Sequence, residues 1–184
     1  MGKFTVIPQN TFEELQLDAG VLLKTFDPET AAAPDDEDII CATTGGISVV
    51  CVPAYSDMGA DIDNCPNNTM ELKKLDSWDC RMSFTALNAN AETIKLALGA
   101  CEVSGNSIKP TRDVEQSAFT DVWWVGDRAD GGMVAVCLKN SLSTSGLSLR
   151  STKNGKSQMS IELTGHISIK AQDVMPVEFY VAEG

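Results

Sequence analysis

The sequence contains one histidine, His166. A serine or cysteine nucleophile needs a base, and no second imidazole is on hand to supply one. His166 itself falls on the polar side of an alternating stretch and reads as a surface residue. There is no H-E-x-x-H, no Walker A and no dinucleotide fingerprint. Gly131-Gly132 lacks the strand–loop–helix context of a phosphate site. Carboxylates are abundant, but nothing singles out a glycosidase pair. The expectation is a protein that is not an enzyme, with no catalytic residues, no cofactor and no metal.

Positive charge is also scarce. Fourteen Lys and Arg stand against 26 Asp and Glu, a net charge of −12. The imbalance sits at the front: residues 1–60 carry 10 acids and 2 bases, whereas residues 131–184 carry 4 acids and 5 bases. Tight binding to naked nucleic acid needs Lys and Arg against phosphates, so this balance argues against it, and against an anionic membrane surface. The plainer consequence of the charge is solubility.

Long apolar runs are missing. None approaches the ~18–20 residues of a membrane-spanning helix. Met1-Gly2-Lys3-Phe4-Thr5-Val6 is followed by no apolar signal region, and Val6 stands where a myristoylation signal needs Ser or Thr. The cysteines Cys41, Cys51, Cys65, Cys80, Cys101 and Cys137 form no C-x-x-C pair. Without a secretory signal they read as reduced thiols, several on apolar faces as small hydrophobes. The sequon Asn67-Asn68-Thr69 is then a chance match.

What is present is a period of two. The 184 residues suit a single domain, 1–184, able to bury roughly 70% of the unfolded surface. From Gln158 to Lys170, Met159, Ile161, Leu163, Ile167 and Ile169 form one series. Gln158, Ser160, Glu162, Thr164, His166, Ser168 and Lys170 form the other. This predicts a long one-sided β-strand. Trp78–Ala86 alternates likewise, with Trp78, Cys80, Met82, Phe84 and Ala86 opposite Asp79, Arg81, Ser83 and Thr85. Leu75 is out of register with it, which predicts a bulge or turn near Lys74–Asp76. Gly20–Phe26 reads as a buried strand. Ile47–Val52 reads as a central strand, apolar on both faces, ended by Pro53.

Asn90 predicts the cap of a helix whose Ile94, Ala97, Leu98 and Cys101 form one stripe, closed by Gly99. Thr11-Phe12-Glu13-Glu14 fits a capping box for a short helical turn. Ser104–Gln116 reads as a polar linker. Asp121–Val125 and Met133–Leu138 predict a hairpin across residues 126–132. Leu147–Ser151 and Gln158 onward predict a second, around Asn154-Gly155. Val177, Phe179 and Val181 mark a last strand.

Two segments read as exposed loops. Residues 27–38 hold two prolines and an acidic cluster, Asp35-Asp36-Glu37-Asp38; residues 56–69 are rich in Asn, Asp, Gly and Pro. Neither the cluster nor Asp57, Asp61 and Asp63 has the ligand spacing of an EF-hand. Trp123 and Trp124 are adjacent in a strand and point to opposite faces. One is buried in the core; the other needs a loop, the helix or another subunit, which makes the pair candidate subunit-interface residues.

Several strings go beyond patterning. Asp121-Val122-Trp123-Trp124-Val125-Gly126-Asp127 with Asp130-Gly131-Gly132 resembles part of the tail tube, or major tail, protein of long-tailed bacteriophages. So do Thr152-Lys153-Asn154-Gly155-Lys156 and Ser160-Ile161-Glu162-Leu163-Thr164-Gly165-His166. Lys139-Asn140-Ser141-Leu142-Ser143 and Pro176-Val177-Glu178-Phe179-Tyr180 extend the likeness. Asp18-Ala19-Gly20-Val21-Leu22-Leu23 and Asp63-Asn64-Cys65-Pro66-Asn67-Asn68 carry it to the other end.

The resemblance implies a mainly β (α+β) fold, a β-sandwich or half-barrel flanked by one helix. It implies hexameric rings that stack, each subunit lending strands to a continuous barrel. The implied partners are further copies of the chain, a tape-measure protein, tail tip and tail terminator proteins, and genomic DNA in transit. The implied location is the virion tail, after synthesis in the bacterial host cytoplasm. Four strands from each of six subunits would make a barrel about 48 Å across, with roughly 35–40 Å clear for a duplex.

On that reading Asp79, Arg81, Ser83, Thr85, Gln158, Ser160, Glu162 and Thr164 are candidate lumen-facing residues, lining a polar-to-acidic channel. Asp35, Asp36, Glu37 and Asp38 are candidate inter-ring contacts to Lys153 and Lys156. The inner tube of a contractile injection device is the near alternative. A β-sandwich binding or decoration domain is a more distant one, and would need an exposed aromatic platform.

Overall fold

A computed structural model describes Phe4 and residues 6–184. Its strands are β1 (Gln16–Leu23), β2 (Thr43–Asp57), β3 (Lys73–Ala86), β4 (Cys101–Ser104), β5 (Ser107–Pro110), β6 (Thr120–Arg128), β7 (Met133–Ser143), β8 (Ser148–Arg150), β9 (Gln158–Thr164) and β10 (Val177–Ala182). One α-helix, α1 (Ala91–Leu98), follows β3. Eight strands join in one antiparallel sheet, and β4–β5 is a separate hairpin. The fold is mainly β with one helix, as expected at that level.

The sheet has two leaves, β1-β6-β7-β10 and β8-β9-β3-β2, joined through β7. Met133–Leu138 pair with β6 and β10, whereas Leu142 and Ser143 pair with β9. Between them Asn140 takes φ 45°, and the β6 ladder slips between Thr120 and Val122. A bulge of this kind bends the strand and lets it leave one leaf for the other. Asn is among the few residues that tolerate this backbone region.

Both inner faces feed one core. Leu22, Val122, Trp124, Val136 and Leu138 come from the first leaf; Cys80, Met82, Phe84, Met159, Ile161 and Leu163 come from the second. Helix α1 closes one side with Ala97, Ile94 and Leu96. Its start is fixed by Asn90, whose side chain accepts the Thr93 amide at 2.8 Å, and its end by Gly99 at φ 70°. Cys101 does not extend the helical stripe; it begins β4.

The bulge expected near Lys74–Asp76 is present. Ala54 opposes Ser77 and Tyr55 opposes Leu75, so Asp76 is skipped. Both expected hairpins also form. Asn154 turns the second at φ 65°.

Four expectations are corrected. The strand from Gln158 stops at Thr164, not Lys170. The Gly165 amide still donates to the Cys80 carbonyl of β3, but the next amide, His166, donates to the Lys139 carbonyl of β7, so the chain leaves the β3 ladder there. Ile169 is consequently 84% exposed rather than in the core. Strand β2 is an edge strand that runs through Pro53, which opposes Trp78. Proline's missing N–H is tolerated where one side of the strand has no partner. The supposed linker, residues 104–116, holds the turn and the second strand of the β4–β5 hairpin, whose four-residue strands are too short for their alternation to announce them. The turn at residues 10–14 is built on Asn10, whose carbonyl accepts the Glu14 amide and whose side chain bonds Glu14.

Candidate functional surface

The outer face of the second leaf collects all eight polar residues singled out on β3 and β9. Arg81 lies opposite Thr164, Ser83 opposite Glu162 and Thr85 opposite Ser160. Gln158 continues to Arg150, and Ser160 to Ser148, on β8. On the other side Val52, Val50 and Ser48 of β2 stand opposite Asp79, Arg81 and Ser83. The neighbours of these residues along each strand point into the core, so the face is fixed by alternation.

A charge network holds its centre. The Arg81 guanidinium grips Asp79 through Nε (2.9 Å) and Nη2 (2.7 Å), and its Nη1 is 3.5 Å from Glu162. Ser83 donates to the other Glu162 oxygen at 3.4 Å. The Arg81 hydrogen bonds hold the Asp79 carboxyl below the usual carboxylate range. With Arg150 on the flanking strand, two acids face two bases. The surface is polar and close to neutral, not acidic.

Two ladder edges flank this face. β2 pairs with β3 alone, leaving its other edge without a strand from Thr43 to Asp57. β8 is three exposed residues long and pairs with β9 alone. Beyond the end of β9, residues 73–79 of β3 pair only with β2. There the ribbon exposes Tyr55 and Leu75, and its tip exposes Met58, Ile62 and Met70.

Trp123 and Trp124 are both covered by their own chain, each only 8% exposed. Trp124 enters the main core, and its indole N–H donates to the Ala19 carbonyl at 2.9 Å. Trp123 packs on the opposite face of the first leaf, between Phe26 and Tyr180, with Lys139 over its ring at 5.7 Å. The second ring's partner is therefore a loop of the same chain. Both candidate interface residues are thus covered by their own chain in the single subunit.

The acidic segment is exposed at Asp35, Asp36 and Glu37. Asp38 is tied back, accepting from Thr25 at 2.8 Å. Lys153 and Lys156 are exposed in the β8–β9 connection. Neither group makes an ion pair among the described residues. The structure does not bring them together within one chain.

His166 does not sit on a strand face. It locks the corner where β7 changes leaf: Nδ1 is 3.1 Å from the Asn140 carbonyl oxygen, and the Asn140 side-chain Nδ2 donates to the His166 carbonyl at 3.1 Å. Its ring meets Phe119 edge-on at 5.2 Å. The six cysteines are unpaired thiols. Burial pushes Cys41 and Cys137 up to about 11. Among the described residues no group of three or more His, Cys, Asp or Glu is placed to hold a metal ion.

One feature escaped sequence reading. A groove of about 500 Å³ runs between α1, the start of β6 and the end of β7. Ile40, Leu96, Ala118, Val122 and Leu142 make it apolar, and Lys24, Glu92 and Lys95 stand at its rim. Its walls come from four segments distant in sequence, so no local pattern announces it. No protein-family model matches the chain, and no curated protein matches it.

Proposed function

We propose that the chain is the structural subunit of a bacteriophage tail tube, of the non-contractile type, in which hexameric rings stack around a channel for tape-measure protein and DNA. The observation that carries this reading is the second leaf: four strands, one face in the core, one face open to solvent and polar except at Val50 and Val52 of β2, and an edge without a strand partner at each side. Six such leaves joined β2-edge to β8-edge form the 24-stranded barrel of about 48 Å. The join is heterologous, two different edges meeting, which is the kind of contact that closes a ring. Closure also covers the stretch of β2's open edge that the three-residue β8 reaches.

A conduit must not retain its cargo. The Asp79–Arg81–Glu162 network leaves no unpaired guanidinium at its centre to hold phosphate. Salt-bridged and near-neutral, such a wall lets DNA pass without the counterion release that drives retention. Tail tip and tail terminator proteins are the expected end partners, and the acidic segment and Lys153/Lys156 remain exposed for contacts between rings.

Electron microscopy of the concentrated full chain tests the reading. Six-fold rings or tubes with a central channel are expected. Uniform monomers at every concentration, or aggregates without a channel, would sink it.

A further inference from the structure

Two of the six thiols face each other. Cys51 of β2 is the direct cross-strand partner of Cys80 of β3. Among the described residues, the strand registers set no other two cysteines opposite each other. The Gly165 amide donates to the Cys80 carbonyl at 2.9 Å, so the backbone of β3 at this residue bonds toward β9 and away from β2. In an antiparallel ladder such a residue makes a non-hydrogen-bonded pair with its partner on the other side. That is the closer of the two pair types, with α-carbons about 4.5 Å apart and the side chains nearer to each other. A disulfide needs roughly 4.4–6.8 Å between α-carbons, so the ladder itself holds Cys51 and Cys80 within bonding reach.

The two thiols differ in access. Cys80 is fully buried in the main core with Met82 and Phe84, and burial, then the neighbouring Cys51 thiol, push it up to about 12. Cys51 packs against the same core but is only half-buried, on a strand whose other edge is open. We propose that Cys51 and Cys80 form a dithiol site for a two-electron oxidant of the hydroperoxide class, which joins them in a cross-strand disulfide. Cys51 meets the oxidant first. Its thiolate sulfur attacks one peroxide oxygen, the O–O bond breaks, and Cys51 becomes a sulfenic acid. The departing hydroxide takes up the proton the thiol gave up and leaves as water. The Cys80 sulfur then attacks the Cys51 sulfur and expels its hydroxyl, which leaves as a second water with the Cys80 proton. Two sulfurs lose two electrons, and one hydrogen peroxide becomes two waters. Burial keeps Cys80 neutral and away from the oxidant, which reserves it as the resolving thiol. The bond closes the β2–β3 ribbon, residues 51–80, into a covalent loop and fixes the edge strand to the sheet. It lies on the core side of the leaf, so the polar face carrying Asp79 and Arg81 is unchanged. The site depends on the β2–β3 register alone and not on the tube reading.

Hydrogen peroxide applied to the full chain in native buffer tests it, followed by alkylation in denaturant, digestion and mass spectrometry. A linked peptide pair carrying Cys51 and Cys80 is expected, about 2 Da lighter than the two thiol peptides together and released by dithiothreitol. The other four thiols should remain open to alkylation. The oxidised chain should melt about 5–10 °C above the reduced one. Cys51→Ser, at a half-buried position, should fold and abolish both the linked pair and the shift. Cys80→Ala should melt lower and stop Cys51 at the sulfenic acid, which dimedone then labels. Peroxide that leaves both thiols open to alkylation, or carries Cys51 to the sulfinic acid with no linked pair, would overturn the inference. So would a Cys51–Cys80 bond that forms only after denaturant has unfolded the chain.

Discussion

The two leaves are built from the same kind of strand and meet different surroundings. In the first, β6 and β7 are buried on both faces: Trp124 and Val136 point into the main core, while Trp123 and Cys137 point into a second one roofed by Phe26, Ile39 and Tyr180. In the second, β3 and β9 bury one face, with Cys80, Met82, Phe84, Ala86, Met159, Ile161 and Leu163, and leave the other wet. A strand buried twice is a scaffold with nothing left to offer a partner. A strand buried once still has a face and, at β2, an edge to give. The division of labour between stability and assembly should follow that line.

The sharpest way to break the comparison is to truncate one residue of each kind. Trp123→Ala removes a ring packed against Phe26 and Tyr180, and should cost about 3–5 kcal/mol in denaturant unfolding. Val52→Ser, on the wet face of the second leaf, should change stability by less than about 0.5 kcal/mol. If Val52→Ser proved as destabilising as Trp123→Ala, the wet face would be a core surface and the distinction would fail.

Next in size is the junction between the leaves. Gly165→Ala should cost about 1–3 kcal/mol, because the added methyl meets the Pro176 carbonyl at 2.7 Å and Leu138 at 2.8 Å. Asn140→Ala should cost about 1–2 kcal/mol, through the positive φ and the lost bond to the His166 carbonyl. Thermal unfolding measures both. Smaller again is Asn90→Ala, which removes the cap that receives the Thr93 amide and should cost about 1 kcal/mol.

These sites also mark where sequence reading stopped. Alternation in β3 and β9 was legible because each buries one face, and the wet residues it singled out do meet on one surface. It failed past Thr164 because Ile167 and Ile169 keep the rhythm after the strand has ended. Only the switch of backbone partner from Cys80 to Lys139 at Gly165–His166, a tertiary fact, breaks it. Ile47–Val52 read as central because Val50 and Val52 are apolar, yet they stand on the outer face of an edge strand. Composition could not separate burial from an apolar outer surface. The Trp pair was correctly sent to opposite faces, but the roof over Trp123 joins Phe26, from the end of an expected strand, to Tyr180 of the last strand, a pairing no local pattern announces. The groove beside α1 has no periodicity at all.

The smallest predicted effect concerns the charge network, and it separates a wall from a binding site. Arg81 holds the Asp79 carboxyl low through two hydrogen bonds on a solvated face. A carboxyl lowered in the folded state adds stability above its ordinary pKa, and that contribution is lost as pH falls through the lowered value. The pair is exposed, so solvent screens it and the effect on unfolding should be close to the limit of measurement. Arg81→Gln should therefore leave unfolding at neutral pH near the parent's, return the Asp79 carboxyl toward the ordinary carboxylate range in an NMR titration, and flatten the acid limb of the stability curve. On the proposed tube reading the same variant leaves Asp79 and Glu162 without their cation, and particles with that more acidic wall should still pass DNA. Reversal at Glu162 is the informative contrast. Glu162→Lys sets a second cation beside Arg81, and a wall that works by not holding phosphate should then retain DNA in a salt-dependent way. If Glu162→Lys particles released DNA as readily as the parent, the face carrying Arg81 would not be the surface the genome meets.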